Sequence, residues 1–309
     1  MSTTSRRVLL TGASGFIGSH CIAPLRRRGY EVVATYNART PPAPVDGVEW
    51  LQADLLADGG AARAVAAARA SHLLHMAWYV EPGKMIASPA NLAWVRASLD
   101  LVLRFHEAGG RRCAVGGSCY EYDWRYGYCS EALTPCRPDT LYGAAKHGLA
   151  EALRGYALAG GLSLPWGRMF FLYGPNENPR RLVPSVILSL LRGEPALSSH
   201  GQQVRDYMHV QDVADGMVAL LDSDCQGAYN IASGKATTIV SIVQALGELS
   251  GRSDLLRIGA IPARANDLPL VVGDTTAAQR DFGWQASIDL RAGLAATLQW
   301  WRERAQEPS

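Results

Sequence analysis

With 309 residues, 48% of them hydrophobic and 19% charged, the chain has the composition of a globular protein with a sizeable core. A net charge of +2 gives no field that would hold nucleic acid or an anionic membrane, and no apolar run approaches the roughly 18 residues of a membrane span. Met1 to Arg7 is polar and none of the six cysteines forms a CxxC pair, so we expect no signal peptide, a cytoplasmic protein, free thiols and no metal site.

The first 120 residues alternate between strand-like and helix-like runs. "RVLLTG" is an apolar strand ending in glycine, and "FIGSHCIAPLRRRG" has helical spacing up to Gly29. "YEVVATY", "VEWLQADL", "SHLLHMAW" and "RRCAVGGS" read as the second to fifth strands, with helical runs such as "GAARAVAAARA" and "LAWVRASLDLVLRFHEAG" between them. Such alternation specifies parallel βαβ units and an α/β doubly wound parallel sheet.

The turn after the first strand reads "TGASGFIG". There Gly12 allows a tight turn, Gly15 a close approach of backbone to a pyrophosphate, and Gly18 close helix–sheet packing, with Phe16 and Ile17 opening the helix whose N-terminus would receive the anion. The second strand ends in "VVATYNART", so Tyr36 or Asn37 stands where an NAD site carries an acid, and Arg39 follows. An arginine there can pair with a 2′-phosphate, which favours NADP(H) over NAD; the alternative is a plain surface arginine.

Further along, "LYGAAKHG" places Tyr142 and Lys146 four residues apart on one helical face. Of 30 Lys+Arg residues only Lys84, Lys146 and Lys235 are lysines, so a lysine here is a choice. Its compact ammonium can lower the pKa of a neighbouring phenol and hold ribose hydroxyls, which a broad guanidinium would not do in the same way. Beyond this helix the pattern is less regular, with proline-rich joints at 175–184 and 262–269, and reads as a smaller lobe.

"TGASGFIG", "YGAAK" and a serine closing the fifth strand together resemble the extended short-chain dehydrogenase/reductases that act on nucleotide sugars, over essentially the whole chain. The resemblance implies a Rossmann domain over 1–172, to which roughly 205–235 returns, and a C-terminal substrate-binding lobe over 173–309. It implies that Ser118 bonds the reacting oxygen, that Tyr142 transfers its proton and that Lys146 grips the cofactor. Asp54 matches an adenine-contacting aspartate; Leu55, Met76 and Ala77 are its cofactor-side neighbours. "VRDYMHVQDVADGM", "YNIASG" and "ARANDLPLVVGD" match substrate-binding segments and put Arg205, Asn230 and Arg264 near the diphosphate.

Departures narrow the activity. Ser118-Cys119-Tyr120 stands where sugar 4,6-dehydratases carry Thr-Asp-Glu, so the acid pair for elimination is missing. Phe171 replaces the asparagine of the family segment "RxFN", and Trp78 follows the fourth strand where small residues are usual, either as a pocket wall or as core. Cys119, Tyr120, Phe171 and Trp78 are thus the sugar-side candidates. The leading expectation is an NADPH-dependent 4-ketoreductase of a nucleotide-linked 4-keto-6-deoxyhexose; the alternatives are a nucleotide-sugar 4-epimerase and, remotely, a non-catalytic dinucleotide sensor. Apolar stripes Leu92, Val95, Leu99, Val102, Phe105 and Leu149, Leu153, Tyr156 suggest a homodimer through two helices per subunit, or helices that cover the sheet.

Overall fold

The computed structural model describes residues 6–263 and 267–306. Strand and helix alternate at first: β1 Arg6–Thr11, α1 Phe16–Arg27, β2 Tyr30–Tyr36, β3 Val48–Gln52, α2 Gly60–Ala68, β4 His72–His75, α3 Ala90–Glu107 and β5 Arg112–Ser118. Next come β6 Tyr128–Cys129, α4 Leu141–Gly160, β7 Pro165–Met169, β8 Phe171–Tyr173, α5 Leu182–Leu191, β9 Ala196–Ser198, β10 Val204–His209 and α6 Val210–Asp222. The chain continues through β11 Gly227–Ile231, β12 Ala236–Thr238, α7 Ile239–Ser250, β13 Leu256–Ile258, β14 Leu270–Gly273, α8 Thr276–Phe282 and α9 Leu290–Gln306.

The large sheet runs β11-β7-β5-β4-β1-β2-β3, and every pairing in it is parallel. A parallel sheet must be covered on both faces, and the sequence supplies apolar side chains to each. On β1 the alternation is strict: Val8 and Leu10 join the core beneath α1 and α6, whereas Leu9 joins that beneath α2, α3 and α4. β4 lies on one side of β1 and β2 on the other, so the strand order reverses there and a crevice opens at the carboxyl ends of these strands.

A second sheet, β12-β10-β14-β6 with β8 also on β10, carries the smaller lobe, and α5, α7 and α9 pack into its own core. Of the segment 205–235, β11 returns to the large sheet as its edge strand and α6 packs behind that sheet, but β10 pairs within the second sheet. Much of the two helical stripes is spent on the core of this chain: Val102, Phe105, Leu149 and Leu153 are buried under the large sheet, while Leu92 is 58% exposed. Among the described residues, no helix is long and apolar enough to cross a membrane.

Candidate active site

The glycine turn is built as a cradle. Gly12 has φ +69°, and a Cβ there would lie 2.8 Å from the Ala77 nitrogen; one at Gly18 would collide with the Gly12 carbonyl. Gly15, extended, caps α1 without any side-chain hydrogen bond, so the first amides of a twelve-residue helix face the crevice. The far wall is held by Thr11, whose hydroxyl receives the Met76 amide at 3.2 Å and lies 2.7 Å from His75 Nδ1. His75 Nε2 meets Ser98 Oγ at 2.8 Å, and burial, aided by the nearby Lys146 charge, pushes the imidazole down to about 3, so it is neutral. Exposed Asp54, Asn37 and Arg39 ring the mouth, with Leu55 buried beneath. These residues fit a dinucleotide: the helix amides are uncapped by any side chain, and Gly12, Gly15 and Gly18 leave the backbone of the turn open to close approach.

Ser118 ends β5 and caps a short 3-10 turn, Cys119–Glu121, accepting from the Tyr120 amide at 3.3 Å. Thr140 caps α4 by accepting from the Gly143 amide at 3.0 Å, and any side chain at Gly143 would strike the Tyr120 carbonyl. That close dock brings Tyr142 into hydrogen bonding with Ser118. Burial holds the phenol above its ordinary value, eased by the Ser118 bond. The expected lowering by Lys146 is not found. Its Nζ, 5% exposed at residue level, donates to the Gly116 carbonyl at 2.7 Å and lies 3.8 Å from the centroid of the Trp78 ring. Burial pushes the ammonium down to about 7, with Glu121 opposing.

Behind Ser118 lies a group the sequence reading missed. Glu121 is fully buried and accepts from the Ser118 amide at 2.8 Å, Trp166 Nε1 at 2.9 Å and Arg168 Nε at 2.9 Å. An acid inside an aromatic run, with its arginine 47 residues later, gives no local signal of pairing.

On the substrate side, Tyr120, Trp124, Phe171 and Tyr207 form a continuous aromatic wall, with centroid separations of 4.4 to 6.4 Å, and Tyr120 meets the Tyr142 ring edge-on at 5.5 Å. Arg205 lies 5.6 Å from the Phe171 centroid and pairs with Asp267. Two expected contacts are corrected. Asn230 is fully buried and spent on the fold: its amide donates to the Cys129 and Asp274 carbonyls and its oxygen accepts from Tyr122. Cys119 packs into a core cluster with Tyr122, Cys129 and Phe170, where burial pushes its thiol well up. Trp78 turns its ring to Lys146, and Arg264 lies outside the described residues.

A profile of the NAD dependent epimerase/dehydratase family matches residues 8–232, which span the cradle, Ser118, Tyr142 and Lys146. The chain belongs to this family. With it come the extended short-chain dehydrogenase/reductase architecture and oxidoreductase-type chemistry on a nicotinamide dinucleotide. Among curated relatives, the dTDP-6-deoxy-L-talose 4-dehydrogenase (NAD(+)) of Aggregatibacter actinomycetemcomitans is 25% identical, covering 86% of this chain and 98% of its own length. The UDP-glucose 4-epimerase of Erwinia amylovora is 28% identical, covering 98% and 99%. Among solved structures, the UDP-glucose 4-epimerase of Thermus thermophilus in complex with NAD superposes with a TM-score of 0.85 at 27% identity, over 96% of this chain and 99% of that one.

Proposed function

We propose that this enzyme is a 4-epimerase of a nucleotide-linked hexose, working with NAD. The observation that carries the reading is the pairing of Ser118, Tyr142 and Lys146 with an aromatic wall in which Phe171 offers no polar contact. Rings grip a sugar by area without fixing one pose, which suits an enzyme that must present both faces of the same carbon. Relatives whose names carry 4-epimerase and NAD support it.

The nicotinamide, when bound, supplies reversible hydride acceptance at the sugar carbon. In its phenolate form Tyr142 takes the C4 hydroxyl proton as the ketone forms and returns it after the sugar turns over, so the burial that keeps the phenol protonated must be offset by the charges of the occupied site. Ser118, bonded to Tyr142, holds the same oxygen in line, and its own backbone is fixed by Glu121. Lys146 grips the ribose of the dinucleotide, and Arg205 anchors the substrate diphosphate, exchanging its bond with Asp267 for a stronger anion.

One observation favours a second reading, a 4-ketoreductase using NADPH. No carboxylate closes β2: Tyr36 packs edge-on against Trp50 at 6.2 Å, and Asn37 and Arg39 face solvent. The two are separated by incubating the protein with a UDP-hexose or with a nucleotide-linked 4-keto-6-deoxyhexose. Epimer seen by NMR with no net change at 340 nm supports the first; stoichiometric loss of NADPH absorbance supports the second; neither sinks both. A homodimer through the outer faces of α3 and α4, which keep Leu92 and the small residues Ala144, Gly148 and Ala152 exposed, belongs to the same proposal; a light-scattering mass near 33.3 kDa overturns it.

A further inference from the structure

Trp78 is more firmly fixed than a pocket wall needs to be. Its Nε1 donates to Asn91 Oδ1 at 2.9 Å, and fully buried Asn91 is itself locked by donating to the Met85 and Ser88 carbonyls at 2.7 and 2.9 Å. Trp94 packs beside it, the ring centroids 6.2 Å apart. So held, the indole lies under the Lys146 ammonium, 3.8 Å from Nζ to centroid.

We propose that Trp78 is a positioning residue for Lys146: its indole, locked through Asn91, holds the buried ammonium charged and aimed so that it can grip the dinucleotide ribose. The proposal rests on the reading of Lys146 as the cofactor-gripping lysine. An ammonium has three N–H donors. One goes to the Gly116 carbonyl and a second direction is taken up by the ring face, which leaves one for a ligand hydroxyl.

Such a device answers a need. Burial removes the water that would stabilise the charge, and a neutral amine makes no charge-assisted bond. Three titratable groups face the ammonium from the neighbouring elements. Glu121, after β5, favours the charge through space but commits its oxygens to Ser118, Trp166 and Arg168. His75, closing β4, is neutral, and Tyr142, one turn earlier on α4, is engaged with Ser118. The face of a desolvated indole restores part of the missing stabilisation.

Trace acetylation with acetic anhydride across a pH series, read by mass spectrometry, gives an apparent titration midpoint for each amine. The chain has only Lys84, Lys146, Lys235 and its N-terminus to resolve. In Trp78→Leu, which keeps an apolar side chain but removes the ring, the Lys146 midpoint should move acidward by about one pH unit, the scale of a desolvated cation–π contact, while Lys84 and Lys235 stay. Trp78→Phe should move it in the same direction by less than half as far. Dinucleotide affinity at pH 8, titrated by fluorescence, should fall about tenfold in the leucine variant, in step with the midpoint. A Lys146 midpoint that is unchanged or moves alkaline overturns the proposal, and should the leucine variant not fold, the phenylalanine variant decides by the same criterion. Failure of the unaltered enzyme to bind dinucleotide would instead overturn the reading of the site, leaving the labelling result to stand by itself.

Discussion

Arg168→Met offers the sharpest test of how the site is supported. The pair it breaks is almost wholly buried, with side-chain exposures of 7% for Arg168 and 0% for Glu121, and its Nε–Oε2 separation is 2.9 Å. Arg168 also donates to the Tyr122 hydroxyl at 3.1 Å and stacks 4.6 Å over that ring. Burial opposes the guanidinium charge, but Glu121 and Tyr122 outweigh it and hold Arg168 above its ordinary value. Methionine fills much of the arginine stem yet leaves the Glu121 carboxylate buried with two neutral donors and no counter-charge in contact, only the more distant Lys146. Breaking a pair of this kind costs about 3–5 kcal/mol, which at about 2 °C per kcal/mol lowers Tm by roughly 6–10 °C. Adding Glu121→Gln should recover at least half, because the amide oxygen still accepts from Ser118 and Trp166 without a charge to strand. Urea and thermal melts of both variants measure this. A single variant within about 1 kcal/mol of the parent, or a double variant no better than the single, refutes the reasoning.

Tyr142→Phe should bind dinucleotide as before and lose at least about 100-fold in turnover, the scale of a lost proton-transfer group; survival within a few-fold removes Tyr142 from the mechanism. Glu177, 8% exposed and with Oε2 unpartnered, is pushed by burial up to about 8. A raised carboxyl is an asset below its unfolded value near 4.5 and a liability once pH rises through its folded value, so Glu177→Gln should be near neutral at pH 4 and stabilise by a few kcal/mol at pH 9. Melting curves in which the difference does not grow with pH contradict this. Arg39→Ala should weaken NADPH about ten- to hundredfold more than NADH if Arg39 reads a 2′-phosphate; equal effects on both leave NAD as the cofactor.

Local pattern carried the reading where the physics is local. The apolar alternation on β1, the glycines of its turn and a lysine one turn after Tyr142 each announce where they sit within ten residues of sequence, and the structure brings Ser118, Tyr142 and Lys146 to one crevice. The contacts that were misread are decided across the chain. Asn230 sits in a segment that resembles a ligand loop, but its amide is claimed by Cys129 and Asp274, 101 and 44 residues away. Glu121 and Trp78 likewise acquire their meaning from Arg168 and Asn91. Neither partner is marked by spacing, and the phenol's environment follows from burial that only packing reveals.

The excursion of the chain through β8, α5 and β9 before it comes back has a consequence for how this architecture can be divided. β10 lies in the second sheet, where its Asp206 ties down Ser233 and Gly273, yet the helix and strand that follow it, α6 and β11, complete the large one. A chain truncated at residue 203 would therefore keep the glycine turn, Ser118, Tyr142 and Lys146 but strip the cover from beneath β1, β4 and β5 and expose β7 as a raw edge. The dinucleotide half is thus not a cassette that can be cut out ahead of β10 as one contiguous stretch, and a fragment meant to keep the large sheet intact must run at least through β11.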